Sequence, residues 1–373
     1  MSFFDKLPQE LLTDICTRLP IKIIVRTTCV CKSFHALIKN PNFTAHINQT
    51  VADDKTRSLL LMYHSDHDFK EGFLIRCDDE TFDECMRLDN SYKIWPLHDD
   101  HIIVGSCNGL ICLYDDFSSY SGVHILWNPA IRKSFILPLP PSGFSTQVFV
   151  LGFGFNSWTN DFKVVRIVYT FTVPPQVEVY ELSTGLWRVS SAVVPLNGNE
   201  ISGCSSHVFV KGACHWVAFE KGREQNRHLI ISFDMGSEVF REMMPPASVA
   251  NGPDLNMSIS LFGELLSLFH YDGASSGESK RCCIWVMKEY GVMESWTKLF
   301  TVDLGGEIDE VLGFRKTGEV LVAKDQWVVS YDPESKQEVN LRIRWSPHSF
   351  HLDTYMESLV LLDGKDQVSL NQA

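Results

Sequence analysis

The chain has 373 residues, 33 basic and 46 acidic, for a formal net charge of −13 and an isoelectric point of about 5.4. Hydrophobic content of 45%, with 12% aromatics, excludes wholesale disorder, and no apolar run approaches the ~18–20 residues of a membrane helix. General nucleic-acid binding is disfavoured as well, because phosphate affinity needs clustered Lys and Arg.

The amino terminus, Met1 to Lys6, lacks the basic and apolar regions of a secretory signal. Eleven cysteines without an export signal therefore read as reduced thiols, buried as small apolar side chains in a cytoplasmic or nuclear protein. Cys29-x-Cys31, Cys282-Cys283 and Cys214-His215 have no second pair at zinc spacing, so no metal is expected. The sequons at Asn42, Asn48 and Asn256 are chance matches in a protein that is not secreted.

The first fifty residues differ from the rest. They carry six basic and three acidic side chains, so the remainder carries −16. Pro8 suits a first helical turn. Leu11, Leu12, Ile15, Cys16 and Leu19 then recur on one helical face, and Pro20 stops the helix. A second helix is expected over 21–31 and a third over Lys32–Ile38, before Asn40-Pro41. Three short helices cannot bury this much apolar surface alone, which points to a partner.

These residues resemble an F-box: Leu7-Pro8-Gln9-Glu10-Leu11-Leu12, Ile15, Arg18-Leu19-Pro20, Val25-Arg26, Cys29-Val30-Cys31-Lys32-Ser33, Leu37-Ile38, Pro41 and Phe43. Phe34 stands where the plant family usually has Trp, keeping an aromatic anchor without the indole N–H, and Ile23-Ile24 replaces the usual Ser-Leu. The resemblance implies docking on a Skp-type adaptor. The implied contacts are Leu7, Pro8, Leu11, Ile15, Leu19, Pro20, Val25, Val30 and Phe34, with Arg26 as the polar member. Leu11 and Ile15 have the alternative role of holding the helices together. Residues 1–47 form the expected F-box and 48–57 a linker; the first fifty residues are expected to suffice for adaptor binding.

From residue 58 the pattern is β. Short apolar runs alternate with Gly, Asn-Gly, Asp and Pro punctuation. Anchoring on Arg76, Trp127, Tyr180, Phe233, Val286 and Tyr331 gives six copies of one unit at a period of roughly 45–55 residues, the length of a four-stranded propeller blade. A β-sandwich is the alternative. The first unit is one strand short, and the leftover segment 355–362 would supply it, closing a six-bladed propeller over 58–364 and leaving a tail over 365–373.

This portion resembles the kelch-type F-box-associated interaction domain of plant F-box proteins. Gly105-Ser106-Cys107-Asn108-Gly109-Leu110-Ile111-Cys112, Trp127-Asn128-Pro129, Gly152-Phe153-Gly154, Asp161-Phe162-Lys163-Val164-Val165-Arg166, Ser232-Phe233-Asp234 and Glu357-Ser358-Leu359-Val360 carry the resemblance. Within that family the chain is similar to S-locus-type F-box proteins. The kinship implies a substrate receptor of an SCF-type cullin ubiquitin ligase, tied through the adaptor to a cullin scaffold and holding a target protein for proteasomal degradation. It also implies a role in self-incompatibility of the S-ribonuclease type. The alternatives are a regulator of immune-receptor turnover, or a carbohydrate- or peptide-binding propeller outside the ligase.

Catalytic motifs do not stand out. Gly152-Phe-Gly154 lies in a strand rather than a strand-to-helix turn, and there is no GxSxG elbow or Walker sequence. Ser183-Thr184-Gly185-Leu186-Trp187 echoes a sialidase turn without its Asp. No catalytic residue and no cofactor are expected. Acids instead cluster at expected turns: Asp53-Asp54, Asp78-Asp79-Glu80, Asp83-Glu84, Asp99-Asp100, Asp115-Asp116, and Glu307 with Asp309-Glu310. Such clusters either keep the protein soluble or steer a basic target, with Asp78, Asp79, Glu80, Asp99, Asp100, Asp115 and Asp116 as the steering set.

Overall fold

Helices α1 (Gln9–Thr17), α2 (Ile21–Thr27), α3 (Lys32–Ile38) and α4 (Pro41–Asp53) open the chain, and strands dominate thereafter. The computed structural model describes residues 8–30, 32–38, 40–53, 58–64, 71–79, 81–88, 101–115, 122–143, 148–170, 173–195, 199–201, 207–220, 227–250, 257–272, 281–303, 308–345 and 350–360. Pro8 and Pro20 immediately precede α1 and α2, where a missing N–H costs nothing.

The second helix is shorter than the apolar spacing predicts. Thr27 and Thr28 donate their hydroxyls to the carbonyls of Ile24 and Val25, at 2.7 and 2.6 Å, and the helix ends there. Three helices were expected, and a fourth exists. Pro41 begins it, with the Asn40 side chain accepting the Asn42 N–H at 2.9 Å as a cap. It runs through the expected linker to Asp53, burying Phe43 and Ile47 at i, i+4 spacing.

The strands form six antiparallel sheets arranged as propeller blades. Their innermost strands are His351–Tyr355 in blade 1, His101–Cys107 in blade 2 and Phe149–Asn156 in blade 3. Blade 4 has a divided inner edge, Asn199–Ile201 and Val208–Val210, both pairing Ala213–Glu220. Met257–Phe262 and Ile308–Phe314 serve blades 5 and 6, and inner strands of neighbouring blades touch around the ring. All six sequence anchors fall on the third strand of their blades.

One apolar cluster fills each seam between neighbouring blades, and the pleat explains how one strand serves two seams. In Ser58–His64, Leu59 and Leu61 face blade 6 while Leu60 faces blade 2. In Leu110–Asp115, Ile111 and Leu113 face blade 1, and Leu110, Cys112 and Tyr114 face blade 3. With both faces buried, such strands read as continuous apolar runs.

The carboxyl-terminal strand closes the ring, but not with the residues the apolar run suggests. His351–Tyr355 pairs antiparallel with Ser58–His64, from Ser58 opposite Tyr355 to Met62 opposite His351. Residues 356–360 leave the sheet, and 361–373 lie outside the described residues. The thiol expectation also needs correction: Cys77 and Cys85, on the outer hairpin of blade 1, are joined as a disulfide, while Cys107, Cys112, Cys214 and Cys282 are buried thiols.

Candidate docking surfaces

The helical unit has a filled core and still exposes large apolar side chains. Leu12, Cys16, Ile21, Ile24, Phe34, Leu37, Ile38, Phe43 and Ile47 form its interior together with Ala130 of blade 2 and Leu359 of the carboxyl-terminal segment. One residue away along α1, a turn of about 100° puts Leu11 and Ile15 outside, 51% and 41% exposed. Val30 in the turn before α3 is 56% exposed. Pro8, Pro20 and Arg26 are exposed beside them, and Leu19 and Val25 are half-buried.

Phe34 is different. It is buried in the helical core, so the aromatic ring anchors α3 to its neighbours. Leu7 lies outside the described residues. Ile23, outward-facing on α2, belongs to the exposed apolar set although the sequence signalled only a replacement of the usual Ser-Leu pair. An exposed Asp14–Arg18 ion pair at 3.0 Å adds little.

The acidic set divides into buried and exposed members. Asp78 was expected at a solvated turn; it is 2% exposed, with Oδ1 3.6 Å from Arg315 Nε and Oδ2 accepting the Lys316 N–H at 2.8 Å. Asp78 thus staples blade 1 to blade 6. Arg315 also donates to the Asp79 carbonyl and the Glu319 carboxylate, and its guanidinium stacks 4.6 Å from the Phe82 ring centroid. Asp115 likewise is buried, at the end of a strand interior to blade 2. Neither buried carboxylate is placed to meet a partner in solution. Asp79 is exposed, its carboxylate accepting the N–H groups of Thr81 and Phe82 and the Thr81 hydroxyl, and the last of these holds its pKa low. Glu80, Asp99, Asp100 and Asp116 lie outside the described residues.

The inner strands enclose a cavity of about 110 Å³ on the propeller axis, lined among others by Ser106, His207, Ser260, His351 and Asp353. Asp353 Oδ2 accepts the Ser106 N–H at 2.8 Å, linking the inner strands of neighbouring blades 1 and 2. Burial lowers the His207 pKa to about 4, so its ring is neutral at ordinary pH, with Nε2 against the Phe153 backbone. Space for a few waters suits a polar plug. The buried thiols are raised by desolvation, which suppresses nucleophilicity. Among the described residues, no group of three or more His, Cys, Asp or Glu is disposed to hold a metal ion.

A helical unit that keeps apolar side chains outside a filled core, joined to a six-bladed propeller, matches two family descriptions in order. Residues 4–46 match the F-box domain, and residues 72–361 match the F-box associated beta propeller domain. The chain is a plant-type F-box protein of the F-box-associated β-propeller family. This F-box protein is 26% identical to F-box protein At3g07870 of Arabidopsis thaliana, over 96% of this chain and 93% of the relative. It is 28% identical to F-box protein CPR1 of the same plant, over 95% and 89% of the two chains. An F-box/kelch-repeat protein, At3g23880, is 26% identical over 79% of each chain. Among solved structures it aligns with TolB from Acinetobacter baumannii at a TM-score of 0.48 and 10% identity, covering 84% of this chain and 72% of that one; nothing about function follows from that likeness.

Proposed function

We propose that this F-box protein is the substrate receptor of an SCF-type cullin ubiquitin ligase, working in the cytosol or nucleus. The observation that carries the reading is the exposed set Leu11, Ile15, Ile23 and Val30 over a core that is already complete. Apolar surface left outside a filled core stabilises nothing until a partner covers it. The F-box assignment makes that partner a Skp-type adaptor, and through it a cullin scaffold.

The propeller then holds the target. The chain itself makes and breaks no bond: its contribution is proximity, raising the effective concentration of target lysines near a conjugating enzyme carried elsewhere in the assembly. A basic target fits the net charge of −16 beyond residue 50, with Asp79 as the exposed member of the steering set among the described residues. The relatives named above lend no support to self-incompatibility, and the reading does not include it. Co-purification of the full chain with a Skp-type adaptor and cullin from plant extract tests the proposal. Recovery of the propeller on a target with neither subunit present would favour a binding propeller outside the ligase.

A further inference from the structure

The carboxyl-terminal segment continues past the ring-closing strand and enters the helical unit. Leu359 is 0% exposed and sits in the same apolar cluster as Leu12, Phe34 and Ile47. Its N–H donates to Asn48 Oδ1 of α4 at 3.0 Å, across 311 residues of sequence. From below, Asn128 at the end of a blade 2 strand grips the segment: its Nδ2 donates to the carbonyls of Ser358 and Val360 at 3.0 and 2.9 Å and approaches Ser358 Oγ at 3.2 Å. Glu357 faces Lys22 and the Ile21 N–H at the start of α2. Gly109, at the Asn-Gly turn of blade 2 with φ of +80°, leaves room for Ser358 that any Cβ would fill.

The segment is thus bonded to α4 on one side and to blade 2 on the other, while Leu359 fills a hole in the helical core. We propose that residues 356–360 are a built-in part of the adaptor-docking unit, completing its core and setting the angle at which the adaptor hangs from the propeller. Leu359, Asn48 and Asn128 are positioning residues for adaptor docking. On this proposal residues 1–50 alone would form an incomplete docking unit, where the sequence expectation has them suffice. This inference rests on the receptor reading for its purpose, but its structural content is separable.

The experiment uses the full chain carrying Leu359→Ala, with Leu359→Met as the conservative rescue and Asn48→Ala as a second variant that leaves the apolar packing in place. Hydrogen exchange of α1–α4 should accelerate at least tenfold in Leu359→Ala while blade strands stay protected, and Leu359→Met should restore it. Adaptor affinity should fall with the fraction of folded helical unit. Spin labels carried on non-natural residues at Ala45 and Lys298 should report a narrow distance distribution in the wild type and a broadened one in Leu359→Ala and Asn48→Ala. Unchanged helical exchange with a distribution that stays narrow in both variants would overturn the inference. So would exchange accelerating equally in the blade strands, which would make Leu359 a propeller residue. A wild-type chain that ignores the adaptor would instead sink the receptor reading, leaving exchange and distance to decide this one.

Discussion

Replacing Asp78 by Ala should cost stability rather than partner association. The carboxylate is buried between blades 1 and 6, facing Arg315 and accepting the Lys316 N–H. Removing one member of a buried pair typically costs about 3–5 kcal/mol, because the other charge is left behind. Here Arg315 keeps the Glu319 carboxylate and the Asp79 carbonyl, which offsets part of that loss. Lys316 is exposed, so water can take over the N–H that loses its acceptor, and that bond adds little to the loss. About 3 kcal/mol is therefore expected, or a fall in Tm of about 6 °C at ~2 °C per kcal/mol for a protein of this size. Thermal melts of Asp78→Ala, Arg315→Met and the double variant form a mutant cycle. Met in place of Arg315 removes the stranded charge, so the double variant should lose less than the sum of the singles. Additive losses, or an Asp78→Ala melt indistinguishable from wild type, would refute the staple.

Three further outcomes are expected. Leu11→Glu with Ile15→Glu should abolish co-purification with the adaptor and leave Tm unchanged, whereas Phe34→Ala should destabilise the helical unit by about 3–5 kcal/mol as a core truncation and show as lost helical circular dichroism. Ending the chain at residue 350 should expose the Ser58–His64 edge and give aggregated protein on size exclusion, while removing 365–373 alone should leave elution and melting unchanged. Burial lowers His124, His207 and His215 from 6.5 to about 3, about 4 and about 4, with Arg166 reinforcing the effect at His124. The unfolded chain then binds protons that the folded chain refuses, so urea midpoints should be highest above pH 6.5 and fall as pH drops towards 4. Burial would raise Glu238, but bonds from Arg188, Lys163 and Ser190 prevail and hold it at about 2, so its contribution is full above 4.5 and lost below. Glu238→Gln should flatten only that lower part of the profile.

The blade period was legible because the third strands are deeply buried and carry recognisable anchors at nearly constant spacing; Trp127, Tyr180 and Phe233 are all interior. The ring-closing strand was misplaced for a physical reason. His351, Asp353 and Thr354 line the axial cavity, so the true strand is rich in polar side chains, while the apolar run downstream includes Leu359, which serves the helices. Apolarity marked burial correctly and named the wrong neighbour. Asp78 failed in the opposite direction, since an acid beside two others reads as solvated and its partner Arg315 is 237 residues away. The helical surface was half readable: the spacing put Leu11, Leu12, Ile15 and Cys16 on one apolar face, but only Leu12 and Cys16 turn into the core while Leu11 and Ile15 stay outside.

The pairing of His351–Tyr355 with Ser58–His64 has a consequence for synthesis. Blade 1 waits with an open edge while the five other blades are being made, since the strand that covers it follows all of them in the chain. Contacts between such distant parts of a chain form slowly, because the loop entropy must be lost before the contact stabilises anything. Closure is in effect a test of chain length. A product cut short by a premature stop keeps an unpaired edge and an unfinished first blade, a form that quality-control chaperones and proteases recognise, so a fragment has little time to compete with the whole protein for shared partners.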